Sequence, residues 1–374
     1  MRLTMTIAAG TLAALILTVP SAFAQDSKPL DPMSFMPKTL VGLGPHGEKP
    51  GSEEDVKLSP EDLTKIKAAK FRVGIAMQTM DIDFSKVLVA GMQSAFKETG
   101  VEVIAITDAG WRPEKQISDL ENLIQLKPDA ILSVPSDGTA TAAAYAKVSK
   151  AGIKLGLFDT VPKGLKHPED YQAAVGPDAA GLGQVAAAMV ATRIPNGGAL
   201  GMVTFDIDLW AANERERGAK KWLAANRPDI RIKQRGFQNP AMAGQVGGDF
   251  ITANPDLKGL WTTFDGPGLE IQSAMRGMGV SIPLATADLG GQISMEIAKN
   301  SNIIGVGAQR LTNQGRALAH AVLKVLLGGK APAFIAVPVL PVTKENLSEG
   351  YKVVWNETPP AALQKVCKAT PGCK

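Results

Sequence analysis

The sequence predicts an α/β protein with two lobes, each built on a doubly wound parallel sheet. Apolar segments of strand type alternate with segments of helical periodicity over residues 71–339. Strands that are apolar on both faces are typical of parallel sheets covered by helices on both sides. The alternation runs through about ten strands in two series, whereas the rival (β/α)8 barrel closes once, after eight. Two sheets therefore explain the pattern better than one barrel.

The first series begins at Phe71, where FRVGIAM is a short apolar run. Phe84, Leu88 and Met92 then recur at helical spacing, which predicts a helix. The elements predicted in this series are strand 71–77, helix 84–99, strand 101–106, helix 113–126, strand 129–134, helix 138–151 and strand 153–158.

The second series repeats this scheme and is longer. Its predicted elements are strand 172–175, helix 178–192, strand 199–204, helix 211–225, strand 230–235, helix 241–253, strand 259–263, helix 267–278, strand 282–287, helix 290–299, strand 303–306, helix 311–327 and an extended piece over 332–339.

The first 24 residues have the pattern of an export signal. Arg2 gives a positive start, residues 7–19 are mostly apolar, and Ala22-Phe23-Ala24 fits the small-x-small cleavage rule. The apolar run is shorter than the roughly 20 residues that a membrane-spanning helix needs, although an uncleaved anchor is the alternative. We expect cleavage near Ala24 and an exported, soluble mature chain.

Residues 25–69 are predicted to form an N-terminal extension without regular structure, because prolines and glycines recur throughout them. Residues 42–47 match a dinucleotide-binding fingerprint letter by letter. We reject that match, because no buried strand precedes it and Pro45 interrupts the turn.

Composition excludes several function classes. A net charge of +4 is too small to indicate binding to nucleic acid or to an anionic membrane. The histidines and cysteines show no metal-ligand spacing, so we expect no metal and no cofactor. Cys367 and Cys373 are the two cysteines of the chain. In an oxidising compartment they predict a disulfide within a C-terminal tail, residues 357–374.

Candidate ligand contacts follow the predicted strands, because open α/β sheets bind ligands beyond the carboxyl ends of their strands. Carboxylates and amides suit hydroxyl groups, and aromatic faces suit the apolar side of a sugar ring. Asp178 and Asp265 also follow strands, but we interpret both as helix caps. The candidate site residues are Asp81, Phe84, Asp159, Thr160, Trp210, Arg215, Phe264, Asp288 and Gln309.

A family resemblance rests on short motifs in a fixed order over residues 71–344. These motifs are Phe84, Phe158-Asp159-Thr160, Arg215-Glu216-Arg217-Gly218, Ala285-Thr286-Ala287-Asp288, Gly307-Ala308-Gln309 and Asn313-Gln314-Gly315. In their order and spacing, the chain resembles the ribose-binding-protein type of periplasmic solute receptor, the sugar-binding component of ABC importers.

The resemblance implies a type I periplasmic-binding-protein fold, with two lobes joined by a three-crossover hinge. Lobe one would comprise residues 70–174 and 310–337, and lobe two residues 175–309 and 338–356. The ligand would lie between the lobes, in the periplasm, and pass to a membrane permease. Phe84 would stack on the sugar ring, and hydroxyl groups would bond to Asp159, Arg215, Asp288 and Gln309.

Three departures from the family pattern favour a related sugar, a polyol or another small hydroxylated molecule over ribose. Thr160 stands where an arginine is usual, and Phe264 where an asparagine is usual. Asp81 and Asp83 replace the usual asparagine and proline.

The predicted function is therefore binding and delivery by a monomer, without bond chemistry. A sensory protein that presents its ligand to a chemoreceptor or histidine kinase would have the same sequence pattern. An exported sugar-active enzyme could use a carboxylate pair such as Asp206 and Asp208. A sugar-responsive transcription regulator is excluded, because an export signal occupies the place of its DNA-binding helices.

Overall fold

A computed structural model describes residues 29–207 and 209–374 of the chain. The predicted signal peptide, residues 1–24, lies outside the described residues, and so does Asp208. The described strands form two six-stranded sheets. The prediction of two α/β lobes is therefore confirmed.

Twelve strands carry this architecture in the described residues. In chain order they are β1 Arg72–Met77, β2 Glu102–Asp108, β3 Ala130–Ser133, β4 Lys154–Phe158, β5 Ala173–Pro177, β6 Ala199–Phe205, β7 Arg231–Phe237, β8 Leu257–Thr262, β9 Leu284–Ala287, β10 Ile303–Ala308, β11 Phe334–Val337 and β12 Leu340–Thr343.

Twelve α-helices lie among them in the same part of the chain. They are α1 Pro60–Ala69, α2 Asp83–Thr99, α3 Pro113–Gln125, α4 Ala142–Lys150, α5 Ala179–Ala191, α6 Trp210–Asn226, α7 Ala243–Ala253, α8 Asp265–Met278, α9 Gly291–Ala298, α10 Leu311–Leu326, α11 Leu347–Trp355 and α12 Ala361–Ala369.

The first sheet has the strand order β11-β5-β4-β3-β1-β2, and its pairs are parallel. The second has the order β12-β10-β9-β8-β6-β7. It is parallel except that β12 runs antiparallel to β10. The extended piece predicted at 332–339 contains β11, and β12 follows it directly in the other sheet. The turn between them carries the chain from one lobe to the other.

The first crossover lies later than the sequence predicts. A boundary between residues 174 and 175 would cut β5, but Val175 pairs with Phe158 on one side and Ile335 on the other. All of β5 therefore belongs to the first sheet, and the chain leaves that lobe after Pro177. The other crossovers lie between β10 and α10 and between β11 and β12.

The N-terminal extension is built differently from the prediction. Helix α1 starts with Pro60 at its first position, and Ser59 and Asp62 form a reciprocal capping box. Proline is favourable at a helix start, because the missing N–H has no helical partner there. The expectation that the prolines keep residues 25–69 free of regular structure is therefore wrong at Pro60, which begins a helix. Its buried Ile66 joins the core of the first lobe.

The extension also spans both lobes. Gly51 forms a parallel bridge with Ile335 of edge strand β11. Earlier in the extension, the backbone N–H groups of Val41 and Gly42 donate to the Asp178 carboxylate at 2.9 and 2.8 Å. Phe35 packs against the core of the second lobe. The segment therefore runs along the side of the molecule where β5 crosses into α5.

The C-terminal tail is folded against the second lobe. Cys367 and Cys373 are joined by a disulfide, and Cys367 is buried in the core of this lobe. The last residue returns to α11, where the Ser348 N–H donates to the Lys374 carbonyl oxygen at 2.8 Å. Across the described chain, helices that combine the length and the apolar character of a membrane span are absent.

Candidate functional site

Two aspartates occupy matching positions at the carboxyl ends of strands. Asp159 follows β4 and its N–H donates to the Val175 carbonyl at 2.9 Å; Asp288 follows β9 and donates to the Gly307 carbonyl at 2.8 Å. Both have a positive φ, 55° and 70°. Left-handed backbone at non-glycine residues is costly and concentrates at functional sites. Each lobe thus contributes one unusually held carboxylate.

Arg215 of α6 forms a bidentate ion pair with Asp288 through both Nη atoms of its guanidinium. Its Nη1 lies 2.8 Å from Oδ2 of Asp288 and its Nη2 lies 3.2 Å from Oδ1, while Nη1 also donates to the Thr263 carbonyl. The Arg215 side chain is only 7% exposed. Bidentate pairs of this kind fix orientation as well as charge.

The position of Arg215 depends on close helix packing. A Cβ atom on Gly183 of α5 would collide with the Arg215 backbone oxygen, and one on Gly218 of α6 would collide with the Ala180 oxygen. These two glycines let α5 and α6 approach closely. We expect a larger residue at either place to push the guanidinium away from Asp288.

A hydrogen-bonded chain continues from Asp288 into the first lobe. Gln309, in the crossover between β10 and α10, donates from Nε2 to Oδ1 of Asp288 at 2.8 Å. Gln314 of α10 donates to the Gln309 Oε1 at 3.4 Å. The Asp288 carboxylate is therefore bonded both by Arg215 of the second lobe and by Gln309 in the crossover.

Three predicted site residues carry buried polar atoms without a partner. Among the described residues, Oδ1 of Asp159, Nε1 of Trp210 and Nε of Arg215 find no hydrogen bond. Such groups are rare in folded proteins, because burying them unpaired costs free energy. One is an acceptor and two are donors. A hydroxyl group can serve either kind.

Burial changes the protonation of two carboxyl groups here. Desolvation raises the pKa of Asp159 to about 7, with a smaller contribution from the Asp288 charge, against the opposing effect of Arg215. Desolvation and the Asp288 charge also raise the pKa of Asp265 to about 6. The site therefore gathers three carboxyl groups around one guanidinium.

A cavity of about 160 Å³ lies beside Asp288. It brings together Phe84 of the first lobe with Asp288 and Gln309, three of the predicted site residues. Phe84 packs edge-on against Phe158, with ring centroids 5.7 Å apart. The lining residues are Phe84, Asp265, Asp288, Leu289, Gly290, Gln309, Leu311, Val354 and Trp355.

Six predicted site residues do not line this cavity, and two of them, Asp159 and Arg215, are described above. The other four lie elsewhere. Asp81 is exposed in the turn before α2. Thr160 lies next to Gly138. Trp210 packs edge-on against Phe334 of β11 at 5.5 Å, and Phe264 packs edge-on against Phe205 at 5.5 Å. None of the four lines the cavity beside Asp288.

The sequence does not predict two features of the cavity. The prediction that Asp265 caps a helix is wrong, because the N-cap of α8 is Phe264 and Asp265 is the first helical residue. Asp178, by contrast, does cap α5 through the Gly181 N–H. Val354 and Trp355 follow the last predicted strand, so a search restricted to strand ends could not find them.

The sequence matches the periplasmic binding protein domain family over residues 73–331. The chain belongs to this family. The resemblance inferred from the motif order is thereby confirmed, and the matched region contains both carboxylate positions and the crossover glutamine. Helices α11 and α12 follow the matched region.

Similar proteins agree with this assignment. The ribose import binding protein RbsB of Bacillus subtilis (strain 168) is 24% identical over 270 residues, which cover 72% of this chain and 86% of RbsB. A periplasmic ribose ABC transporter protein from Conexibacter woesei DSM 14684 has a TM-score of 0.69 at 18% identity, covering 78% of this chain and 98% of its own.

A solute binding protein from Agrobacterium vitis, solved with bound D-fucose, has a TM-score of 0.62 at 23% identity, covering 76% of this chain and 99% of its own. These solved structures share the two-lobed fold. In the described part of this chain, no group of three or more His, Cys, Asp or Glu side chains is arranged to hold a metal ion.

Proposed function

We propose that this protein captures a small sugar or polyol between its lobes and delivers it to an ABC importer. The observation that carries the proposal is the set of buried, unpartnered atoms on Asp159, Trp210 and Arg215. A polyhydroxylated ligand offers both donors and acceptors to such a set. RbsB, named as a ribose import binding protein, and the D-fucose complex support the ligand class.

In this proposal, Asp159, Arg215, Asp288 and Gln309 bond to hydroxyl groups, and the Phe84 ring covers an apolar face of the ligand. Trp210 adds an indole donor. Asp81, Thr160 and Phe264 stay predictions, because they neither line the cavity beside Asp288 nor carry a buried polar atom without a partner.

The charge of the site favours neutral ligands. Three carboxyl groups, on Asp159, Asp265 and Asp288, surround the single Arg215 guanidinium, and that guanidinium is already paired with Asp288. An anionic ligand such as a sugar acid would meet uncompensated negative charge in a poorly solvated site. We therefore expect aldoses, ketoses or polyols to bind and sugar acids to be rejected.

Capture would proceed by hinge closure. We take the first lobe as residues 70–177 and 310–337, and the second as residues 178–309 and 338–356. The three crossovers join these lobes, and closure about them would bury the ligand and reopening would release it. The cycle breaks no bond in the ligand. The protein would work as a monomer in the periplasm after removal of residues 1–24.

A thermal-shift screen of the ligand-stripped mature protein tests the proposal. The panel is D-ribose, D-arabinose, D-fucose, D-galactose, D-allose, D-tagatose and glycerol, with D-galacturonate as the anionic control. A ligand at about 100 times its Kd stabilises a protein by roughly 2.7 kcal/mol. A shift with one neutral compound, which is recovered unchanged, is expected. No shift with any neutral compound, or conversion of the bound compound, would contradict the proposal.

The sensory alternative differs only in the partner. Co-purification of the mature protein with a reconstituted permease, in the presence of the bound sugar, would support transport. Binding to a chemoreceptor or histidine-kinase ectodomain instead would favour sensing.

A further inference from the structure

Helix α11 reaches the ligand cavity from outside the region that matches the family. It follows β12, whereas the family match ends at residue 331. Leu347, Tyr351 and Val354 bury it in the core of the second lobe. It also contacts α10 of the first lobe. The helix therefore lines the cavity, through Val354 and Trp355, where the two lobes meet.

Trp355, the last residue of α11, is held at the cavity by its own hydrogen bond. Its Nε1–H donates to the Leu289 carbonyl oxygen at 2.9 Å, next in sequence to Asp288. The Tyr351 ring lies 5.9 Å from the indole. Because the indole N–H is already bonded, the rest of the ring presents only an apolar surface.

The cavity lining consequently combines two chemical kinds of side chain. Its polar side chains are Asp265, Asp288 and Gln309. Its apolar side chains are Phe84, Leu289, Leu311, Val354 and Trp355. A fully hydroxylated ligand would find partners among the polar side chains but would leave any hydroxyl group that faces the apolar ones without a partner.

We propose that Trp355 is a specificity-determining residue, which takes an aliphatic edge of the ligand such as the methyl group of a deoxy sugar. This inference rests on the proposed function. An apolar pocket discriminates against an added hydroxyl by roughly 10- to 100-fold. The protein should therefore bind a deoxy sugar more tightly than the counterpart that carries a hydroxyl at that carbon.

The C-terminal tail contacts the start of α11, the helix that carries Trp355. The Lys374 carbonyl accepts the Ser348 N–H in the first turn of α11, and the Lys374 N–H donates to the Lys344 carbonyl. The Cys367–Cys373 disulfide closes the loop that brings Lys374 to this place. A chemically closed tail thus fixes the start of the helix whose end carries Trp355.

The test measures Kd by calorimetry for the tightest neutral ligand of the screen and for its deoxy or hydroxylated counterpart, with D-fucose and D-galactose as the first pair. The proteins are the mature wild type, Trp355→Ala and Trp355→His. The histidine keeps a planar ring and a ring N–H but adds a second polar nitrogen. Trp111→Ala, at an exposed tryptophan away from the cavity, is the matched control.

The wild type should prefer the deoxy member at least tenfold. Trp355→Ala should weaken its binding at least tenfold and abolish the preference, and Trp111→Ala should change neither. If Trp355→Ala does not fold, Trp355→His decides, and it should lower the preference. Unchanged affinity and preference in a folded Trp355 variant, or a wild type that prefers the hydroxylated member, would overturn the inference. A wild type that binds no neutral compound would instead overturn the proposed function and this inference with it.

Discussion

Asp159 is destabilised in the ligand-free protein, and a bound ligand would supply the hydrogen bond that its carboxyl group lacks. Its carboxyl group is desolvated, its Oδ1 finds no hydrogen-bond partner among the described residues, and its backbone lies in the left-handed region. Each condition disfavours the ligand-free fold. Binding residues often reduce stability in this way, because the groups that contact the ligand are unpaired without it.

Asp159→Asn should stabilise the ligand-free protein at high pH. The folded pKa of about 7 exceeds the ordinary 3.8, so the folded state binds the extra proton more tightly than the unfolded state does. The contribution of Asp159 to the free energy of unfolding is therefore fully present below pH 3.8 and is lost as pH rises through 7. Asparagine cannot ionise, so the variant keeps this stability at high pH.

Urea unfolding of both proteins between pH 4.5 and 8 checks this prediction. The variant should be more stable by about 1–3 kcal/mol at pH 8 and nearly equal at pH 4.5. A constant difference across the pH range would show that burial does not raise the pKa of Asp159.

Ligand affinity should also depend on pH. A hydroxyl group donates most strongly to an ionised carboxylate, so bound ligand should lower the pKa of Asp159 and displace its proton. We expect Kd to rise as pH falls from 8 to 5.5, and proton release near pH 7 in calorimetry with buffers of different ionisation enthalpy. Proton uptake on binding would contradict this role.

At the scale of elements, Asp178 joins the N-terminal extension to the second lobe. It lies directly after β5, is 1% exposed, and accepts from the backbone N–H groups of Val41, Gly42 and Gly181. One side chain therefore caps α5 and anchors the extension at the first crossover.

Asp178→Ala should lower the free energy of unfolding by about 2–4 kcal/mol, because several buried donors lose their acceptor at once. Asp137→Ala is the matched control: Asp137 also accepts from two backbone N–H groups, of Thr139 and Ala140, but in an exposed turn where water can replace it. Chemical denaturation of both variants would contradict the account if they lost equal stability.

Periodicity in the sequence predicts elements well where the pattern of apolar residues follows the pattern of burial. Helix α2 and strand β4 lie close to their expected places, because their apolar patterns record burial directly. The sequence says less about which strands pair with each other. The antiparallel β12 and the later crossover after Pro177 depend on contacts with β10 and β11, which are distant in the chain.

At the scale of the whole molecule, the extension and the tail add structure around a shared two-lobed core. The solved relatives reported above cover 76% and 78% of this chain but nearly all of their own. The extension spans both lobes beside the crossovers, and α11, whose start the tail contacts, places Trp355 at the cavity. Neither position could be predicted, because strand ends locate a site only within the core fold.

The central claim is that Arg215, Asp288 and Asp159 bind one ligand between the lobes. Calorimetric titration of the tightest screened sugar into the mature wild type, Arg215→Lys and Arg217→Lys tests it most directly. Arg217 lies one half-turn away, pairs with Glu214 and is half-exposed. It is therefore a matched control on the same helix.

We predict one sugar bound per wild-type chain and the same Kd for Arg217→Lys. For Arg215→Lys, Kd should rise at least tenfold, a loss of about 1.4 kcal/mol, because lysine cannot reproduce the fork that orients Asp288. Equal Kd values for all three folded proteins would place the ligand elsewhere and contradict the account.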